Sequence, residues 1–210
     1  MRYRFDGWIA GLGTASGTRL VLGHWPSSPL GPSTDVMVES PAGRRTLLAG
    51  TRRLAEFVAA TYAFDEVRTV PVEIVRGRTW AVTAGPLRFS FRVGPRGALG
   101  RLLRAVPPPL ARRPAWIRLI DLPARALLPG VRTYGSAGNG RREWYGAQDL
   151  HPITAATAEL DGVDLGPLTD VIPPVRFGFG STPRRPALVR VTTTVASPGF
   201  RTAPRSARPA

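Results

Sequence analysis

Residues 87–93 carry the pattern that most constrains how this chain can fold. Leu87, Phe89, Phe91 and Val93 are apolar, and the residues between them are arginine or serine. Successive side chains of a β-strand point to opposite faces of a sheet, so this alternation predicts a strand with one buried face. We therefore expect these four apolar side chains to lie together in a core.

Short β-favouring segments bounded by turn residues recur along the chain, at 3–9, 19–22, 35–39, 44–49, 66–75, 79–83, 151–160 and 187–195, and residues 130–146 are predicted as strand and loop. One clear helix is predicted near 51–63, where Leu54, Phe57 and Val58 share a helical face and Thr51 can serve as the N-cap. Many short strands with one helix predict a mainly β (α+β) fold. We expect an antiparallel, barrel-like or strongly curved sheet of at least seven strands.

Residues 97–129 differ from the rest of the chain. Apolar residues recur there at helical spacing among arginines, and prolines interrupt the pattern. We expect a helical flap or lid on the sheet, and the alternative is a helical element that lies on a membrane surface, since such elements combine Arg with Trp and Leu. The sequence predicts one domain over 1–195, with 196–210 as a disordered tail that lacks apolar periodicity.

The composition excludes several kinds of chemistry. The chain has no cysteine and no lysine, so all 29 basic residues are arginine. Disulfides, thiolate nucleophiles, lysine imines and pyridoxal-phosphate linkage are therefore excluded. Neither histidine, His24 or His151, lies in a metal-binding spacing, and we expect no metal and no cofactor.

The net charge of +15 is typical of nucleic-acid-binding proteins, but its origin here is different. Arginine without lysine, beside abundant Ala, Gly and Pro, indicates coding bias in a GC-rich genome, and the arginines are scattered. We do not expect nucleic-acid binding. Residues 1–11 lack the apolar run of a signal peptide, and no segment approaches the roughly 20 apolar residues of a membrane span, so we expect a cytoplasmic protein.

Residues 138–151 form the chemically densest segment. On a strand, Arg142 and Trp144 would share one face, and Arg141, Glu143 and Tyr145 the other. Such a face can orient a polar group of a ligand inside a barrel, or it can hold a structural ion pair. The predicted pocket residues are His24, Arg141, Arg142, Glu143, Tyr145 and His151.

Residues 142–146, Arg-Glu-Trp-Tyr-Gly, resemble a Gly-Arg-Glu-x-aromatic-Gly strand of the acetoacetate decarboxylase-like family. The resemblance implies a β-barrel with a deep apolar cavity and places Arg142 and Glu143 in the pocket. The family strand continues into Pro-Lys-Lys, where this chain has Gln148, Asp149 and Leu150. The resemblance therefore also implies that decarboxylation through a lysine imine is lost.

These observations favour a small-molecule-binding, barrel-like protein whose ligand is apolar with an anionic or carbonyl end. The first alternative is an acid–base enzyme of lyase or hydrolase type that needs neither lysine nor cysteine. It requires that two of His24, His151, Glu143 and Tyr145 converge. The second alternative is a basic surface protein that docks on an anionic membrane or nucleic acid. The sequence leaves the oligomeric state open.

Overall fold

The computed structural model describes residues 1–128, 130–136, 140–178 and 180–197. Within this part the helices are α1 Arg52–Ala59, α2 Ala98–Ala105, α3 Pro108–Ala111, α4 Pro114–Leu119 and α5 Asp121–Leu127. The strands are β1 Arg2–Thr14, β2 Arg19–Ser27, β3 Ser33–Glu39, β4 Arg45–Ala49, β5 Glu66–Thr69, β6 Val72–Val75, β7 Thr79–Ala84, β8 Leu87–Val93, β9 Tyr134–Ser136, β10 Arg142–Leu160, β11 Val163–Asp164, β12 Leu168–Thr169 and β13 Ala187–Ala196. The predicted mainly β fold is confirmed.

The strands form one strongly curled sheet in the order β5-β4-β3-β2-β1-β13-β10-β8-β7-β6. Its pairs are antiparallel except for β4 and β5, which run parallel. The two ends of this path, β5 and β6, are consecutive in the chain and only Val70 and Pro71 separate them. The Val70 N–H donates to Ala49 O at 3.0 Å, and Pro71 O accepts from Gly85 N–H at 3.2 Å. The chain itself therefore joins the two ends of the curled sheet.

One face of the curled sheet encloses an apolar core, which we call the lumen core. Trp80 on β7 meets Trp8 on β1 edge-to-face, with ring centroids 6.0 Å apart, although these strands are far apart in the sheet order. Phe91 stacks on Trp80 at 5.7 Å. The predicted face of β8 lies in this core, with Leu87, Phe89 and Phe91 buried and Val93 half-buried.

The opposite face of the sheet, which we call the second face, is covered by helices and a loop. Helix α1 begins after Thr51, whose hydroxyl accepts a hydrogen bond from Leu54 N–H, and it buries Leu54, Phe57 and Val58 against the sheet. This helix confirms the one predicted near 51–63. The loop 171–183 packs Val175 and Phe177 against the same face.

The predicted helical segment within 97–129 consists of α2 to α5. Prolines divide it into short helices, as the interrupted pattern indicated: Pro108 and Pro114 are the first residues of α3 and α4, and Pro123 lies in the first turn of α5. Gly100 lets α2 approach β10, because a Cβ at that position would lie 2.1 Å from Leu150 O. Of the described helices, none has the length and apolar character that would let it cross a membrane.

Strand β13 extends to Ala196, one residue beyond the predicted end of the domain, and Ser197 N–H donates to Met1 O at 3.0 Å. The remainder of the predicted tail, 198–210, lies outside the described residues.

Candidate functional site

A cavity of about 240 Å³ lies on the second face, between the sheet and its covering elements. Strands β1, β2, β3, β10 and β13 form its floor. Helices α1, α2 and α5 and the loop 171–183 form its walls. The lining is largely apolar. On the opposite face, the lumen core is a continuous cluster of buried apolar side chains.

Strand alternation explains which side chains reach the cavity. On β13 every second residue lines it, namely Val189, Val191, Thr193 and Val195. On the neighbouring β10, Glu143, Tyr145 and Ala147 do the same. Tyr145 lies directly opposite Thr193 and Glu143 opposite Val195 in the register of the two strands.

The loop that forms one wall is held by a buried carboxylate. Glu39 on β3 is fully buried, pairs with Arg19 at 3.0 Å and accepts the Arg176 N–H at 2.9 Å. The Arg176 guanidinium also contacts Glu39, at 3.1 Å. These contacts hold the loop against β3 where it crosses the second face above the cavity. The loop also contributes Thr182 to the lining.

Three polar side chains form a closed group, which we call the phenol–carboxyl ring. The Tyr62 hydroxyl lies 3.0 Å from Glu143 Oε1, and the Tyr145 hydroxyl lies 3.1 Å from Glu143 Oε2. The two phenol oxygens are 2.6 Å apart. All three residues line the cavity, and Glu143 itself is fully buried.

The number of protons decides the charge of this ring. Each of its three contacts needs one proton, and two phenols supply two. If Glu143 is ionised, both phenol protons go to its oxygens and the 2.6 Å contact between the phenol oxygens has no proton. If Glu143 is protonated, it donates to one phenol, that phenol donates to the other, and the second phenol donates back to Glu143. The neutral acid is therefore the form that satisfies the ring.

Burial acts in the same direction. Desolvation raises the pKa of Glu143 to about 7, against smaller opposing effects of the two phenols and of Arg141. Burial also raises the pKa of Tyr62 and Tyr145 well above their ordinary value, and the nearby Glu143 charge adds to this shift. The ring therefore holds its protons up to about neutral pH.

A second buried carboxyl, Asp35 on β3, also lines the cavity. Its Oδ1 accepts the Trp25 indole N–H at 3.3 Å, and burial raises its pKa to about 7. Gly23, on the same strand as Trp25 and directly opposite Asp35 in the register of β2 and β3, makes this contact possible. A Cβ at Gly23 would lie 2.8 Å from Trp25 Nε1 and 2.9 Å from Asp35 Oδ1.

Two hydroxyls of the lining are buried without a hydrogen-bond partner in the described part of the chain, those of Thr182 and Thr193. Thr193 is only 4% exposed and lies beside Tyr145. A buried hydroxyl that lacks a partner is unfavourable by about 1–3 kcal/mol. A polar group of a ligand in the cavity could satisfy it.

Of the six predicted pocket residues, only Glu143 and Tyr145 line this cavity. His24 lies on the lumen side, where its Nδ1 is 2.9 Å from Thr34 Oγ1 and its ring meets Trp80 edge-to-face. Because a strand alternates, His24 and its neighbours Gly23 and Trp25 point to opposite faces. Burial, with a smaller effect of the Arg76 charge, lowers the pKa of His24 to about 4.

The predicted arginines also lie elsewhere. Arg141 is buried, but its guanidinium donates to Phe57 O at 3.0 Å and to Thr61 Oγ1, which ties it to the end of α1. Arg142 is exposed on the opposite face of β10 from Glu143. The expected cluster of arginine, glutamate and phenol is thus a cluster of glutamate and two phenols.

His151 belongs to a different contact network at the far side of a bulge in β10. Its Nδ1 lies 3.1 Å from Gly94 O, and its Nε2 lies 3.5 Å from Asp149 Oδ2. Arg96 binds the same carboxylate with two contacts of 2.7 Å. The register shift between Ala147 and Asp149 turns this part of the strand away from the ring.

Sequence reasoning missed Tyr62 and Asp35. Tyr62 lies at the end of the helix predicted near 51–63 and three residues beyond the last residue of α1, so its approach to the sheet depends on how α1 packs, which no local pattern reveals. Asp35 gave no clear signal, because two of its neighbours on the same face of β3, Ser33 and Glu39, are also polar and the apolar valines of this strand face the lumen core.

Comparisons with known proteins give no family. No protein-family model matches the chain, and no curated protein matches it. One similar solved structure is a protein from Nitrosomonas europaea that carries the provisional name AttH, with 13% identity and a TM-score of 0.35. The alignment covers 96% of this chain and 53% of that protein, so this chain spans about half its length. The similarity is too distant to carry a functional argument. The resemblance to the acetoacetate decarboxylase-like family stays a prediction.

Proposed function

We propose that this chain binds a small, largely apolar molecule in the second-face cavity, with a carbonyl or hydroxyl end of that molecule against the phenol–carboxyl ring. One observation carries the proposal. An apolar enclosure of about 240 Å³ contains a few converging polar groups, among them the buried, unpartnered Thr193 hydroxyl. Ligand sites in proteins have this character, since apolar walls supply affinity and a few polar groups set orientation.

The charges of the cavity favour a neutral polar end. Its two buried carboxyls, Asp35 and Glu143, would repel an anion once ionised. The arginine in the lining, Arg132, is largely exposed, so it lies at the rim rather than beside the ring. Of the two polar ends predicted from the sequence, we therefore propose the carbonyl. The anionic end was predicted because an arginine was expected beside Glu143, and the phenol–carboxyl ring contains no arginine.

A series of simple amphiphiles tests the proposal. We would titrate the protein at pH 6 with 2-alkanones, 1-alkanols and alkanoates of equal chain length and follow binding by calorimetry. We expect affinity for ketones and alcohols to rise about fourfold for each added methylene, from the free energy of burying a CH₂ group. Alkanoates should bind at least about tenfold more weakly, because the anion must be buried without a cation.

A matched pair of variants locates the binding. Ala147→Phe places a ring in the cavity, whereas Ala155→Phe places the same ring on an exposed position of the same strand. We expect Ala147→Phe to abolish binding of the alkanones and Ala155→Phe to leave it unchanged. Equal binding by both variants would show that the alkanones bind outside the second-face cavity.

A second candidate function is acid–base catalysis by the same ring. The observation that favours it is that a carboxyl with a pKa raised to about 7 lies within hydrogen-bond reach of two phenols in a cavity. In its ionised form Glu143 can take a proton from the carbon next to a bound carbonyl while a phenol of the ring donates a hydrogen bond to the carbonyl oxygen, and the acid so formed then returns a proton to that carbon. Glu143→Gln separates the two functions, because it keeps the ring's hydrogen bonds but can neither take up nor return a proton. Retained alkanone binding with loss of proton–deuterium exchange next to the carbonyl would support catalysis. Exchange equal to the uncatalysed rate in both proteins would reject it.

A further inference from the structure

The helices α2, α4 and α5 are apolar on both sides. Toward the cavity or the sheet they present Leu99, Leu103, Ile117 and Ala124. Away from it, each presents one leucine to solvent, and these are Leu102 at 62% exposed, Leu119 at 69% and Leu122 at 72%. A helix that only covers a sheet needs no large apolar side chain on its outer side, because polar residues alone suffice there.

Arginines accompany these leucines. Exposed Arg101 and Arg104 flank Leu102, Arg118 precedes Leu119, and Arg125 lies one helical turn from Leu122. The segment 97–132 contains seven arginines and a single acidic residue, Asp121. Asp121 is buried, accepts hydrogen bonds from Thr133 and lies 4.0 Å from the Arg125 guanidinium, so of the outer arginines it offsets the charge of Arg125 and leaves Arg101, Arg104 and Arg118. We call the outer residues of α2, α4 and α5 the leucine–arginine surface.

We propose that the leucine–arginine surface docks on the surface of an anionic lipid bilayer. Leucine side chains that enter the interface gain the free energy of leaving water, while arginines beside them bind lipid phosphates. The charge is complementary to anionic lipid, and the partner must also accept apolar side chains. Nucleic acid has the complementary negative charge but offers exposed leucines no apolar medium. The bilayer is therefore the better match.

The position of this surface gives the docking a consequence. The same helices line the cavity on their inner side, through Leu99, Leu103 and Ala124. Docking would therefore bring one wall of an apolar cavity to the boundary of the acyl chains. The proposal does not depend on the ligand-binding function, because it rests on the outer side chains alone.

Flotation with vesicles tests the proposal. The full chain would be mixed with vesicles of phosphatidylcholine alone or with one quarter phosphatidylglycerol, at 0.1 M salt. We expect at least about tenfold stronger partitioning to the anionic vesicles, decreasing with added salt. Equal partitioning to both compositions, or none to either, would overturn the proposal.

Two pairs of variants identify the surface. The triple variant Leu102→Ser, Leu119→Ser, Leu122→Ser should reduce partitioning at least about tenfold. Its control is Val67→Ser, Val163→Ser, which removes exposed apolar side chains from strands elsewhere, and it should change nothing. Arg101→Gln, Arg104→Gln should weaken binding more than Arg88→Gln, Arg92→Gln, which removes the same charge from an exposed face of β8.

The outcomes are distinct. If the leucine variant partitions like the unmodified chain, the leucines do not contribute and the proposal is wrong. It is also wrong if the unmodified chain and the leucine variant both bind duplex DNA more strongly than they bind the anionic vesicles, because the surface is then merely cationic. If binding also fails in the Val67, Val163 control, the effect is not specific to these helices. Alkanone binding is measured without vesicles, so its failure would contradict the ligand-binding proposal and leave docking to be judged by flotation.

Discussion

At the residue scale, the protonation of Glu143 has a measurable effect on stability. Its pKa is about 7 in the folded chain, raised by burial from an ordinary value of 4.5. The folded state therefore retains a proton that the unfolded state releases between these pH values. By linkage, this contribution to stability is complete below about pH 4.5 and is lost as pH rises through about 7.

Glu143→Gln removes this titration and keeps the ring, because the amide N–H replaces the acid O–H and the amide oxygen still accepts from a phenol. We expect the free energy of unfolding of the variant relative to the unmodified chain to increase by about 3 kcal/mol between pH 4.5 and pH 8. Urea unfolding of both proteins at the two pH values measures this. Asp35 and His24 titrate equally in both proteins and cancel in the comparison. A constant difference across the range would mean that Glu143 is ionised in the folded state.

A substitution at Gly23 tests the hydrogen bond between Trp25 and Asp35. Gly23→Ala would place a methyl group within 3 Å of both Trp25 Nε1 and Asp35 Oδ1, which breaks their hydrogen bond and leaves Asp35 buried without it. We expect a loss of about 1–3 kcal/mol in unfolding free energy. Gly77→Ala is the control, because a Cβ there would meet only Thr79 O, at an ordinary 3.5 Å. Equal stability of the two variants would exclude a role for this contact.

The sequence could predict part of the site at this scale. The alternation of 141–145 placed Glu143 and Tyr145 on one face, and both line the cavity. It could not identify the partner of the carboxyl, because Tyr62 is 81 residues away along the chain. The arginine expected as partner, Arg141, precedes β10 and is held by the end of α1 instead.

At the element scale, α1 links the fold to the site, because Tyr62 follows its last turn and Leu54, Phe57 and Val58 line the cavity. Thr51→Ala removes the hydrogen bond to Leu54 N–H, and we expect a loss of about 1 kcal/mol in stability. Thr51→Ser keeps the bond and should be nearly neutral. If chemical denaturation gives the same value for both variants, the cap does not contribute.

Strand β10 shows why element boundaries were harder to predict than element types. The sequence indicated strand and loop over 130–146 and a separate β-favouring segment at 151–160, whereas the structure has one strand of 19 residues. It continues because β13 pairs with its first part and β8 with its second, with register shifts near Gln148 and Thr154. Partners on two different strands are long-range information that local alternation lacks.

At the scale of the whole molecule, the lumen core and the proposed ligand cavity lie on opposite faces of the same sheet. Phe91 lies in the lumen core, where it is 1% exposed and its ring stacks with those of Trp80 and Phe89. We expect Phe91→Ala to reduce the unfolding free energy by about 3–5 kcal/mol, from lost burial and the cavity left behind. Below its unfolding temperature, the variant should still bind alkanones with nearly unchanged affinity. Ala147→Phe should show the reverse pattern. A proportional loss of both properties in either variant would mean that the two faces are not independent.

The junction at Val70 and Pro71 also affects whether the sheet edges of different copies of the chain can pair. An exposed sheet edge is a template on which a foreign strand can pair, and this is a common route to aggregation. Here the edges at the two ends of the path are β5 and β6, each only four residues long. They are separated by a proline that has no N–H to donate. Charged side chains at Glu66, Arg68 and Glu73 further disfavour an incoming apolar strand. The closure that shapes the lumen thus also protects the chain from fibrillar self-association at these ends.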